Sequence, residues 1–112
     1  MALRTLQQIR GDTWKRTWVL KDANGVPLDL SGCRARLQVR DRDGLLRAEA
    51  STTAGRLILT PLAGRIDMVM PADAMGLTPG AYRFDLEVVF LDGTVTTYET
   101  AQLNLLEDVT HD

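Results

Sequence analysis

Between positions 81 and 91 every second residue is large and apolar: Tyr82, Phe84, Leu86, Val88 and Phe90 share one parity, while Arg83, Asp85 and Glu87 take the other. A period of two means a strand with one dry and one wet face, because successive side chains of a strand point to opposite sides. Asp92-Gly93 follows at once, and residues 94–105 beyond it are rich in β-branched side chains. Asp-Gly between two such runs encodes a tight hairpin turn, since both residues tolerate the dihedrals it needs. Residues 80–99 therefore predict an antiparallel pair with one apolar face. A lone hairpin is not stable in water, so the rest of the chain must supply a layer that covers this face.

The remaining sequence has the grammar for that layer. Asn24-Gly25, Ser31-Gly32, Asp43-Gly44, Ala54-Gly55, Ala63-Gly64 and Thr78-Pro79-Gly80 punctuate it at short intervals, the spacing of a sandwich or small barrel. In residues 33–40, Cys33, Ala35, Leu37 and Val39 share one face, and Arg34, Arg36, Gln38 and Arg40 the other. Residues 12–20 put Trp14, Trp18 and Leu20 on one side together with Arg16. An arginine at that parity requires an edge position or a carboxylate partner. Residues 45–50, 56–60 and 65–70 bring the strands to seven, 26–30 adds a short bridge, and Pro71 to Met75 fits one helical turn, because proline suits a first helical position. No run sustains a 3.6-residue apolar period. The expected fold is all-β: an antiparallel immunoglobulin-like β-sandwich of about seven strands, with at most one short helical turn near 71–76. It forms one domain over 1–112, with flexible ends at about 1–5 and 108–112.

Charge and rare residues narrow the function. Fifteen acids against thirteen bases leave a net charge of −2, which gives no electrostatic reason to expect nucleic acid or an anionic membrane as partner. Cys33 stands alone, so an intramolecular disulfide and a four-cysteine metal site are excluded. His111 is the single histidine, so a Cys–His or Ser–His arrangement would rest on the chain's tail. There is no glycine-rich phosphate loop and no zinc-spaced cluster. The expectation is a protein that is not an enzyme, with no catalytic, cofactor-binding or metal residues. The first ten residues have no continuous apolar core, and the longest apolar run, 88–91, is far short of a membrane span. This predicts synthesis in the cytoplasm without a signal peptide and no membrane as partner.

Four motifs need a reading. Gly80-Ala81-Tyr82 opens the best strand after a turn and resembles a tyrosine corner, in which Tyr82 bonds the backbone of the preceding connection; the plainer alternative is a core aromatic. Arg10-Gly11-Asp12 spells the integrin tripeptide, but three residues occur easily by chance and these lead into a strand. Asp41-Arg42-Asp43-Gly44 looks like the opening of a calcium loop without the later oxygen ligands, and a hairpin turn explains it better. The arginine face of Arg34, Arg36, Arg40 and Arg42 lacks the interleaved aromatics of a nucleic-acid surface. Cross-strand pairing with Asp67, or with Asp85 and Glu87, is one use for it. A subunit interface is the other. Candidate interface residues are thus Arg34, Arg36 and Arg40, with Trp14 and Trp18 on an edge strand.

Taken in order, Gly11-Asp-Thr-Trp14, Trp18-Val-Leu-Lys-Asp-Ala-Asn-Gly25, Pro27-Leu-Asp-Leu-Ser-Gly32, Gly64-Arg-Ile66, Leu77-Thr-Pro-Gly-Ala-Tyr-Arg-Phe-Asp-Leu86, Asp92-Gly-Thr-Val95 and Glu107-Asp-Val-Thr110 resemble small immunoglobulin-like β-sandwich proteins of tailed bacteriophages and prophages. They are similar to the N-terminal domain of phage baseplate upper proteins. The resemblance spans nearly all of 11–110. It implies a structural protein of the virion tail region that docks to other tail proteins, with self-association open, and it implies no catalytic residues. Baseplate upper proteins continue into further segments, whereas this sequence ends at Asp112, which implies a stand-alone accessory protein. The alternative function is a recognition module for carbohydrate or a host surface. That would require exposed aromatics among Trp14, Trp18 and Tyr98.

Overall fold

The alternation in residues 81–91 is carried by a ten-residue strand, Gly80–Val89, on which Tyr82, Phe84, Leu86 and Val88 are buried and the intervening residues face outward. The computed structural model describes residues 3–109. Among them run β1 (Arg4–Ile9), β2 (Trp14–Val19), β3 (Arg34–Arg40), β4 (Leu46–Ser51), β5 (Leu57–Thr60), β6 (Arg65–Met70), β7 (Gly80–Val89) and β8 (Val95–Leu106). They form a five-stranded sheet in the order β1-β8-β7-β3-β4 and a three-stranded sheet in the order β2-β6-β5. The sheets close on each other as a β-sandwich. The order matches an immunoglobulin variable-type arrangement, with β2, β6 and β5 in the smaller sheet and β3, β7 and β8 central to the larger.

Each of the seven expected strands is present, and 26–30 contributes the isolated bridge between Lys21 and Pro27. Short 3-10 turns occupy Ala72–Met75, where one helical turn was expected, and also Pro61–Ala63. Strand β1 is the addition. It pairs with β8 in parallel from Arg4–Ala101 to Ile9–Leu106, so the chain is ordered into the sheet from Arg4, inside the end expected to be flexible. At the other end Asp108 lies 3.6 Å from Arg10, and residues 110–112, with His111, are outside the described residues.

The core is the meeting of the two inner faces. Leu37, Val39, Phe84, Leu86 and Leu103 of the large sheet pack toward Leu57, Ile66, Met68 and Met70 of the small one, all at most 2% exposed. Each such side chain contributes about 1.5–3 kcal/mol on burial. In immunoglobulin domains an inter-sheet disulfide joins the strands equivalent to β2 and β7, two residues beyond the corner tyrosine. Here Phe84 stands two residues beyond Tyr82, and it meets Trp14 of β2 edge-to-face at 5.1 Å and 79°. An aromatic pair thus joins the sheets where a chain with one cysteine has no disulfide to offer.

Two turns show why particular residues sit where they do. The Tyr82 hydroxyl donates to the Thr78 carbonyl at 2.6 Å, so the tyrosine corner is formed and ties the start of β7 to its crossover. Gly64 has φ of 61° and lies so close to the neighbouring bridge that a Cβ would fall 2.5 Å from the Leu20 carbonyl oxygen. Only glycine meets both demands.

Candidate functional site

The outer face of the five-stranded sheet is uncovered, and its rows follow from strand register. Arg34, Arg36, Gln38 and Arg40 of β3 stand opposite Val89, Glu87, Asp85 and Arg83 of β7. Arg36 is paired: its Nε and Nη2 reach Glu87 Oε1 at 2.9 and 2.8 Å. Gln38 donates to Glu49 of β4 at 2.6 Å and accepts from Arg40 Nη2 at 2.9 Å. Arg40 also donates to the Gly44 carbonyl at 2.8 Å. Arg34 makes no ion pair among the described residues. Of the anticipated carboxylate partners, Glu87 serves. Asp67 does not, because β6 places it on the other sheet, where it accepts from Arg65 Nε at 2.8 Å and Thr17 Oγ1 at 2.6 Å. Those two donors hold its carboxyl below the usual carboxylate range.

Two shallow depressions mark this face. One, of about 430 Å³, is bordered by Gln38, Arg40, Arg42, Arg83 and Asp85. The other, of about 450 Å³, lies toward Arg34, Arg36, Glu87 and Val89. Both open broadly to solvent, and neither gathers a nucleophile beside a base. Asp41 borders the first, but its carboxylate is engaged by Arg47 Nε at 2.8 Å and by the N–H groups of Asp43 and Leu45. The Arg47 bond leads the causes that hold its carboxyl below the usual range. These contacts are those of a hairpin turn, as the sequence suggested for 41–44. Among the described residues no cluster of three His, Cys, Asp or Glu is placed to hold a metal ion.

The tryptophans are placed differently from the expectation. Trp14 is 4% exposed and belongs to the core, because its parity on β2 turns it toward Phe84; it is not an interface residue. Trp18 is half-buried, with Nε1 donating to Glu99 Oε1 at 3.1 Å. β2 is an edge of the small sheet, as expected. Arg10 of the Arg-Gly-Asp tripeptide is tied to the Leu77 and Gly76 carbonyls at 2.9 and 3.1 Å, which makes it a brace between β1 and the crossover.

One polar cluster was not anticipated from the sequence. Glu99 faces the space between the sheets and accepts from Arg16 Nη2 at 2.9 Å, Trp18 Nε1 at 3.1 Å and Arg4 Nη1 at 3.5 Å. The Arg16 guanidinium carbon lies 4.9 Å from the Trp18 ring centre and 5.9 Å from that of Phe84. The carboxylate partner that Arg16 required is therefore Glu99. The available signal was parity: Glu99 shares the face of Ala101, Leu103 and Leu105, as Arg16 shares that of Trp14.

No family model and no curated protein sequence matches the chain. Among solved structures it is similar to CopC from Methylosinus trichosporium OB3b, at a TM-score of 0.54 and 12% identity, over 99% of this chain and 91% of that one. At that identity the likeness shows the fold alone.

Proposed function

We propose that the chain is a non-catalytic structural protein of a phage or prophage tail or baseplate, which docks to another virion protein through the outer face of its five-stranded sheet. The family reading comes from the ordered phrases between 11 and 110. The observation that carries the docking is the open face itself: Arg34, Arg40, Arg42 and Arg83 reach solvent from it without a carboxylate partner among the described residues. Arginine is enriched at protein interfaces because its planar fork binds carboxylates and carbonyls with several donors at once. Recognition of carbohydrate is the weaker reading. Trp14 is buried and Trp18 is engaged by Glu99, which leaves Tyr98, 36% exposed, as the one of the three proposed aromatics at the surface.

The test is where the protein goes. Particles released by the natural host are banded on a density gradient and probed for this chain, and the neighbouring genes are read. The expectation is that the chain bands with particles and that its gene lies among tail genes. A chain confined to the soluble fraction, encoded within a metabolic operon, overturns the proposal.

A further inference from the structure

We propose that Arg40, Arg42 and Arg83 form a docking point for an extended acidic segment of a partner protein. The inference deepens the docking reading above and takes its biological setting from it. Arg40 and Arg83 are direct cross-strand partners in the antiparallel pair of β3 and β7. Like charges placed directly opposite destabilise a sheet. Arg42, on the loop after β3, borders the same depression of about 430 Å³. None of the three is within ion-pair distance of a carboxylate among the described residues.

Three of the nearby acids are already engaged. Asp41 is held by Arg47 at 2.8 Å, Glu49 by Gln38 at 2.6 Å and Glu87 by Arg36 at 2.8 Å. Asp85 remains, as does Asp43 beside Arg42 in the turn, so three guanidinium groups face two carboxylates in a chain whose net charge is −2. The excess is local, and it is left open to solvent.

Chemistry selects the occupant. Arg42 and Arg83 make no side-chain hydrogen bond among the described residues, and each offers a planar fork that matches a carboxylate with two parallel hydrogen bonds. Arg40 gives one N–H each to the Gly44 carbonyl and Gln38 and keeps its other donors and its charge. Facing residues in antiparallel strands are about 5 Å apart, and alternate side chains of an extended segment about 7 Å, so neighbouring acids on one strand-like segment reach both forks. Gln38 and Thr100 also line the depression, and they supply donors and acceptors suited to a peptide rather than an apolar anchor. Nucleic acid fits less well. Phe84, the aromatic that borders this depression, is 1% exposed, so it offers no ring there for stacking bases.

The probe is a synthetic peptide alternating Thr and Glu, titrated into the ¹⁵N-labelled chain while the arginine Nε–Hε signals are followed, alongside its Thr/Gln counterpart. The signals of Arg40, Arg42 and Arg83 are expected to shift saturably with the Glu peptide and not with the Gln peptide. Arg83→Gln is expected to weaken binding about fivefold, and Arg65→Gln on the other sheet to leave it unchanged. An unshifted spectrum, equal shifts with the Gln peptide, or equal saturation by inorganic phosphate or a single-stranded oligonucleotide overturns the proposal. A failure here with the chain banding on particles removes this docking point only. A saturable Glu response with the chain absent from particles removes the tail assignment only.

Discussion

Glu99 and Arg16 provide the sharpest test of how the sandwich holds together. Their side chains are 14% and 18% exposed and meet at 2.9 Å, and Glu99 also accepts from Trp18. Removing one member of a buried ion pair costs about 3–5 kcal/mol, because the other charge is left without compensation. The residual exposure of both groups, and the second donor at Glu99, lower that figure, so Glu99→Gln is expected to lose about 2–3 kcal/mol. For a chain of 112 residues each kcal/mol moves the melting temperature by about 4 °C, so the midpoint should fall by about 8–12 °C. Arg16→Met should lose somewhat less, since Glu99 keeps Trp18 and Arg4. The double variant, Arg16→Met with Glu99→Gln, removes both charges and should lose less than the two single losses added, with a coupling above about 1 kcal/mol. Urea unfolding followed by the fluorescence of Trp14 and Trp18 measures all four corners of the cycle. Additivity to within about 0.5 kcal/mol would refute the reasoning, because it would mean that the two charges are stabilised independently.

Other substitutions separate close packing from charge. Tyr82→Phe removes the 2.6 Å bond to the Thr78 carbonyl and should lower stability by about 1 kcal/mol by calorimetry, since the carbonyl of exposed Thr78 regains water. Gly64→Ala places a methyl 2.5 Å from the Leu20 carbonyl oxygen and should cost about 3 kcal/mol or more, while Gly55→Ala, with similar φ but no atom within 4 Å, should cost about 1 kcal/mol. The Asp67 carboxyl sits below its ordinary value of 3.8 because Arg65 and Thr17 donate to it. The unfolded chain therefore takes up that proton first, and Asp67 stabilises the fold fully above 3.8 and loses the effect as pH falls through its folded value. Urea midpoints of the wild type and Asp67→Asn should accordingly converge below about pH 4. Arg83→Glu turns a like-charge pair with Arg40 into an opposite-charge pair and should raise stability by about 0.5 kcal/mol; a loss would contradict the repulsion inferred at this face.

The fold was legible where alternation and turn chemistry agreed. Residues 80–99 carry a clean period of two, an Asp-Gly turn and the corner tyrosine, and the structure realises all three as β7, β8 and the Tyr82–Thr78 bond. β1 escaped detection for a physical reason. Arg-Thr-Leu-Gln-Gln-Ile has one apolar residue, Leu6, on its inward face, so side-chain pattern says little. What orders it is parallel backbone pairing with β8, from Arg4–Ala101 to Ile9–Leu106, and pairing of that kind leaves no mark in a single sequence. Trp14 and Trp18 were grouped correctly by parity, yet parity alone does not say how deep each sits. Trp14 lies over Phe84 in the core, whereas Trp18 lies near the polar cluster at Glu99. The arginine face was readable as a face. Which arginines are compensated was not, because that depends on which carboxylates the register and the β3–β4 turn bring beside them.

The two arginine environments follow opposite rules, and that contrast carries the functional argument. Arg16 enters the interior and is met by the Glu99 carboxylate of β8 and by the rings of Trp18 on β2 and Phe84 on β7. A buried cation without such partners would be too costly to keep. Arg40 and Arg83 are cross-strand partners on the open face, and neither has a carboxylate within ion-pair distance among the described residues, although a polar or acidic residue at position 83 would meet the same backbone and the same register. Arg40 braces the β3–β4 turn through the Gly44 carbonyl and Gln38, whereas no contact among the described residues engages the Arg83 side chain, and Arg83→Glu is expected to raise stability. The inner pair adds a polar contact between the sheets to the apolar core that holds them. The outer pair gives the face a charge that an acidic partner would complete.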